Sequence, residues 1–309
     1  MLGTKSKERI KSLLTKLPYI GKALKDYETF KLKYPPGHYY SPIVDRNEIR
    51  QDYDRLFSNA AILNGIDLNK EEQYGLLQEF IKYYDEIPFS DQKKEGLRYY
   101  FDNNFYVYSD AIFLYSIIRH FKPQQIIEAG SGFSSSVMLD TNDLFFEKKI
   151  KLTFIEPYPE RLLSLLNKED KATQVILQKR IQDVPVSEFN KLNRNDILFI
   201  DSTHVAKTGS DLNYILFEVL PILKKGVIIH FHDIFYPFEY PKEWVLHWDG
   251  FGWNEIYFLR AFLTNNNEYK IINFNTYLHK ENKDWLSEKM PMCLKFKESM
   301  PGSIWIQKV

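Results

Sequence analysis

The chain predicts an α/β fold, a doubly wound and mostly parallel sheet with helices on both faces. Three observations carry that expectation. Short apolar runs recur between residues 126 and 308 and alternate with amphipathic helical segments. Most of these runs lack strict polar alternation, the pattern of strands buried on both faces. Finally, the run Ile126-Ile127-Glu128-Ala129 passes into Gly130-Ser131-Gly132-Phe133-Ser134-Ser135, which reads as a strand, a glycine turn and a helix start.

Taken in order, residues 1–100 are expected to form an N-terminal α-helical cap over the sheet, and residues 101–309 the α/β domain. Residues 5–33 hold nine Lys or Arg against three acids, and Ile10, Leu13, Leu14 and Leu17 fall on one helical face. Such a helix is expected to pack on its own domain or on a partner subunit, with contact to a membrane surface as the alternative. The segment Tyr34 to Pro42 contains three prolines, a glycine and several aromatic residues, so it reads as an extended, turning loop. Helices are expected over Glu48 to Phe57 and Lys70 to Tyr84. After the first strand come strands Lys151 to Glu156, Val175 to Gln178, Asp196 to Asp201 and Gly226 to His232. Helical segments lie between them near Pro159 to Asn167, Pro185 to Leu192 and Ser210 to Leu223. A helix Glu255 to Leu263 precedes two further strands, Tyr269 to Phe274 and Ser303 to Lys308, with a long polar loop between them.

Composition narrows the class. At 309 residues, 44% apolar and 16% aromatic, the chain can bury a large core. A formal net charge of zero gives no global attraction to nucleic acid. The single cysteine, Cys293, excludes an intrachain disulfide. No apolar run is long enough to span a bilayer and no secretory signal pattern is present, so a cytoplasmic protein is expected. A homo-oligomer is compatible with the sequence.

The glycine turn points to a nucleotide-like ligand. Gly130 and Gly132 let the backbone approach closely, and the Ser134 to Ser136 run is expected to cap the next helix, its amides facing the ligand with Ser131 beside them. Glu156, at the end of the second strand, offers an acceptor pair to a ribose diol. Glu128 would repel a pyrophosphate, and Ser135 stands where a dinucleotide fingerprint wants a third small residue. A cationic ligand suits it better. The pattern of acid-x-Gly-x-Gly followed by an acidic strand end resembles the class I methyltransferases, whose cofactor is S-adenosylmethionine. The resemblance implies a Rossmann-like sheet of seven strands in which the antiparallel last strand inserts beside the fifth, and adenine contacts at Gln182 and Asp183.

A second constellation lies where the fourth and fifth strands end, in Asp201-Ser202-Thr203-His204 and His230-Phe231-His232-Asp233. Metal-dependent O-methyltransferases of the catechol type are similar here: Asp201, His232 and Asp233 align with that family's metal ligands. His204 stands where the family carries a catalytic lysine. A histidine at His232 would favour a softer ion than Mg²⁺. His204 or His232 would take the proton of an acceptor hydroxyl, with Asp201 beside the point of methyl transfer.

The strings Tyr34 to Pro42, Asp201 to Gly209, His230 to Pro237 and Trp253-Asn254-Glu255 resemble the bacterial methyltransferase-24 type. This resemblance implies a sugar, polysaccharide precursor or specialised metabolite as acceptor. His38 and Tyr40 in the loop Tyr34 to Pro42, and Tyr236, Trp253, Asn254 and Glu255, are then the candidate acceptor contacts; Tyr236 and Trp253 belong to an aromatic segment, Ile234 to Trp253, that also holds Tyr240, Trp244, His247 and Trp248. Two other classes stay open. A nicotinamide-dependent oxidoreductase would share the fold, although Glu128 and the missing third glycine argue against it. A non-catalytic scaffold would need a decayed site, whereas Glu128, Gly130, Gly132, Glu156 and Asp201 are all in place.

Overall fold

Seven strands form one sheet: β1 (Gln125–Ala129), β2 (Lys151–Ile155), β3 (Val175–Leu177), β4 (Ile197–Ile200), β5 (Ile228–His232), β6 (Tyr269–Phe274) and β7 (Ser303–Lys308), ordered β3-β2-β1-β4-β5-β7-β6. The structure, a computed structural model, describes residues 10, 12–14, 16–30, 34, 36–57, 63–247, 252–295 and 301–309. The first five strands run parallel, while β7 pairs antiparallel with both β5 and β6. The last strand therefore inserts beside the fifth, as the resemblance implies. Every residue of β4 and of β5 is buried, which explains why neither shows polar alternation.

Register places the site. Ala129 pairs with Ile155 on one side and Ile200 on the other, so β1, β2 and β4 end level. Gly130, Glu156 and Asp201 leave the sheet side by side at the carboxyl ends of neighbouring strands, where open α/β sheets bind ligands. The backbone closes this corner: the Gly130 amide donates to Ile155 O at 3.0 Å and the Asp201 amide to Ala129 O at 2.9 Å.

Several helices differ from the sequence expectation. Tyr108–Phe121 is a helix whose residues 108–118 are all buried, so it carries no polar stripe by which periodicity would reveal it. It packs between helices Lys70–Tyr84 and Phe133–Phe145. The expected polar loop between β6 and β7 instead contains helices Asn275–Glu281 and Lys283–Lys289 and a 3₁₀ turn Pro291–Leu294, in which Cys293 is fully buried. The segment Ser210 to Leu223 is helical but irregular: Asp211–Tyr214 widens into a π turn over Ile215–Val219 before Leu220–Ile222. Glu48 to Phe57 divides into two short helices, Arg46–Gln51 and Tyr53–Leu56.

The chain separates into two compact units, residues 1–58 with 243–252, and residues 59–242 with 253–309. Helix Lys70–Tyr84 contacts β6 in the larger unit. In the smaller unit, helix Pro18–Phe30 is preceded by exposed Ile10, Leu13 and Leu17. The aromatic loop folds on itself there: His38 stacks between Tyr34 (4.6 Å) and Tyr39 (4.4 Å), and the Tyr40 amide donates to His38 Nδ1 at 3.1 Å. Among the described residues, no helix is long and apolar enough to cross a membrane.

Candidate functional site

A cavity of about 310 Å³ opens at the level strand ends, lined by Gly130, Glu156, Tyr158, Gln182, Asp201 and Ser202 among others. That is the lower end of the size range for small-molecule sites. Gly130 is fixed by two constraints. Its φ is +81°, and a Cβ there would lie 1.6 Å from the carbonyl oxygen of Asp201, so only glycine lets the β1 and β4 turns touch. The Glu156 carboxylate accepts from the amides of Ser131 (3.1 Å) and Tyr158 (2.9 Å), which holds it at the rim. Gln182 lines the cavity and donates to Gly209 O at 3.0 Å. Asp183 is instead drawn into a two-point ion pair with Arg180, itself a lining residue.

Glu128 and the serines have a different place from the one expected. The serines do not cap the helix, because Phe133–Phe145 begins before them and Gly132 occupies the cap position, its amide donating to Ser135 Oγ at 3.0 Å. Ser134 Oγ donates to Glu128 at 2.5 Å and Ser135 Oγ donates to the other oxygen. Glu128 is wholly buried and does not line the cavity; burial pushes its pKa up to about 8, against the pull of those serine hydroxyls. The carboxyl thus braces the glycine loop from behind rather than offering a charge to a cation.

The β4 and β5 side of the site is built from ionisable side chains. His204 Nε2 lies 3.4 Å from Asp201 Oδ1 and 3.7 Å from Asp233 Oδ2, while Nδ1 lies 2.7 Å from Glu255 Oε2. Both His204 (φ +59°) and Asp233 (φ +54°) adopt the left-handed region, a strain that surrounding contacts must hold. Burial lowers the basicity of His204, but the Asp201 and Glu255 contacts outweigh it and its pKa rises well above the usual histidine range. Burial likewise pushes Asp201 up, yet His232 and His204 prevail and its pKa falls to about 2. Burial dominates at Asp233 and Glu255, whose pKa values are raised.

The metal trio is corrected. Among the described residues the donor atoms that gather within 4.8 Å are those of Asp201, His204 and Asp233, not His232. His232 lies behind them, Nε2 3.8 Å from Asp233 Oδ1 and its ring 5.2 Å from that of Tyr106. Two carboxylates and an imidazole are a donor set of the kind divalent ions accept. His230 is fully buried and stacked 3.8 Å from Phe199, a core residue.

The aromatic segment divides. Tyr240 is buried and its hydroxyl accepts from the Ile256 amide at 3.3 Å; Tyr236 packs on Phe274 and Tyr277. Trp244 and His247 belong to the smaller unit, with His38 and Tyr40, while Trp248 lies outside the described residues. Trp253 sits 4.2 Å from the His204 ring. Asn254 exchanges hydrogen bonds with the Ala206 backbone, and Glu255 is 1% exposed, so neither side chain is offered to an acceptor. The sequence reading missed Asp211, which accepts from the amide (2.9 Å) and hydroxyl (2.7 Å) of Thr203 and so anchors the loop after β4. Its only sequence signal is an acid in the first turn after Ser210.

A family model described as a methyltransferase domain, of the methyltransferase-24 type, matches residues 127–234, the span from β1 to just beyond β5. A protein of Archaeoglobus fulgidus, described as uncharacterized, is 35% identical over 200 residues, which are 62% of this chain and 85% of that protein. Among solved structures, the SAH-bound methyltransferase PaMTH1 of Podospora anserina is similar at 14% identity, covering 86% of this chain and 97% of its own, with a TM-score of 0.39. The SAM-bound O-methyltransferase TomG of Streptomyces achromogenes is similar at 12% identity, covering 84% and 96%, with a TM-score of 0.42. With the seven-stranded sheet, the glycine turn closed on Asp201 and the matched residues 127–234 together, the chain belongs to the S-adenosylmethionine-dependent class I methyltransferases, of the methyltransferase-24 type.

Proposed function

We propose that the chain moves the methyl group of S-adenosylmethionine to a hydroxyl oxygen of a small-molecule or carbohydrate acceptor. The observation that carries this reading is the position of His204, whose Nε2 faces Asp201, a lining residue of the cofactor cavity. In the reaction the acceptor oxygen attacks the methyl carbon, the carbon–sulfur pair returns to sulfur, and the hydroxyl proton passes to His204 Nε2 in molecules whose ring is neutral, a fraction that grows with pH because the Asp201 and Glu255 contacts raise the His204 pKa. The ring gives that proton on to solvent. Gly130, Glu156 and Gln182 hold the cofactor, and the Trp253 ring beside His204 offers a flat apolar face to a sugar or aromatic acceptor. In the alternative arrangement Asp201, His204 and Asp233 would hold a divalent ion, His204 Nε2 would then be a ligand and not the proton acceptor, and the ion would lower the pKa of the acceptor hydroxyl.

Transfer of labelled methyl to a panel of sugar nucleotides and metabolite extracts tests the reading, run with and without a chelator. Loss on chelation with recovery on adding a divalent ion assigns the trio to metal; loss in His204→Ala with indifference to chelator assigns His204 as base. Activity that survives both changes sinks the acceptor-side assignment.

A further inference from the structure

The three residues Trp253-Asn254-Glu255 converge on one side chain. The amides of Asn254 and Glu255 both donate to the His204 carbonyl at 3.1 Å, which pins His204 in its left-handed conformation. The Asn254 side chain accepts from the Ala206 amide at 2.7 Å, fixing the loop two residues on. Trp253 covers the imidazole at 4.2 Å, and the Glu255 carboxylate meets Nδ1 at 2.7 Å. Glu255 stands at the start of helix Glu255–Leu263, 51 residues away in sequence.

The Glu255 carboxylate is poorly placed for stability. It is 1% exposed, and its second oxygen, Oε1, is buried with no hydrogen-bond partner. A buried carboxylate with one orphaned oxygen is costly, and an apolar side chain against Trp253 would pack without that cost. What the glutamate alone supplies is an acceptor for Nδ1–H.

We infer that Glu255 is the positioning residue of the site: by accepting the Nδ1 proton of His204 it fixes the ring so that Nε2, free of a proton in the neutral ring, points to Asp201 and the cofactor cavity. The inference rests on the proposed role of His204 and holds whether Nε2 takes a proton or binds an ion, since both need that tautomer.

The test reads the tautomer directly, needs no acceptor, and so stays informative if the panel of hydroxyl acceptors fails. Protein labelled with ¹⁵N at histidine is examined by two-bond ¹H–¹⁵N correlation at alkaline pH with S-adenosylhomocysteine bound, the His204 signal being assigned by its loss in His204→Gln. The expected result is an Nδ1–H ring in the unaltered chain and a shift to the Nε2–H form in Glu255→Gln. Asn254→Ala, which loosens the loop but leaves the carboxylate, keeps Nδ1–H. Where an acceptor is in hand, Glu255→Gln lowers kcat at least tenfold while S-adenosylmethionine affinity stays within twofold. An Nδ1–H ring that persists in Glu255→Gln overturns the inference. Should that variant not fold, Glu255→Asp serves instead: its carboxylate is one methylene short, so the Nδ1 proton exchanges faster with water, and unchanged exchange is equally fatal.

Discussion

The two halves of the site are built from different materials. On the β1 and β2 side, the parts that shape the cavity are backbone: Gly130 pressed against the Asp201 carbonyl, and the Ser131 and Tyr158 amides on Glu156. On the β4 and β5 side they are side chains, with Asp201, Asp233 and Glu255 all within ion-pair reach of His204 and two left-handed residues among the four. A backbone cradle is specified by a few local residues and accepts a fixed ligand. A cluster of ionisable groups depends on contacts from distant segments, as Glu255 on His204 shows.

The contrast breaks first at Gly130. Gly130→Ala places a methyl group 1.6 Å from a backbone oxygen at a φ of +81°, so neither half can yield without the other moving. Calorimetry is expected to show S-adenosylmethionine affinity down by roughly 10³-fold or more, about 4 kcal/mol, with the His204 environment disturbed as well. Affinity within a factor of ten of the parent would mean the loop is softer than its contacts suggest. Glu156→Ala is the next largest, because it deletes the acceptor pair proposed for the ribose and releases the Ser131 and Tyr158 amides at once. A loss of about 1.5–3 kcal/mol in cofactor affinity is expected from charge-assisted hydrogen bonds. Unchanged binding would remove Glu156 from the cofactor site.

The same contrast explains what the sequence revealed. Gly130, Glu156 and Asp201 end runs of apolar residues, a local pattern that places them at strand ends without knowledge of the fold. Strands Tyr269–Phe274 and Ser303–Lys308 were legible to the residue for the same reason. Helix Tyr108–Phe121 was not, since burial on every side erases its periodicity. Nor was the pairing of Glu255 with His204, which depends on how helix Glu255–Leu263 meets the loop after β4, or the clamp of Arg98 on Asp140, Asp143 and Asp170. Sequence alone marks Glu255 only as a candidate acceptor contact. Spacing in sequence says nothing of which face of a distant helix turns inward.

Glu128 sharpens the comparison by showing an ionisable group used as scaffold on the backbone side. Its pKa in the fold is raised from 4.5 to about 8 by burial. Between those two values the folded chain holds a proton that the unfolded chain has lost, so this group's contribution to stability is complete below about pH 4.5 and is lost as the pH rises through about 8. Glu128→Gln keeps the shape, leaves an oxygen for one serine, and has no proton to lose. The unaltered chain is therefore expected to lose melting temperature between pH 5 and pH 8 relative to the variant, by several degrees for a contribution on the order of a few kcal/mol. Because all other titrating groups are shared, the difference between the two curves isolates Glu128. Parallel curves would mean that the carboxyl is ionised in the folded chain, and Glu128 would then be a charge available to a cationic cofactor after all.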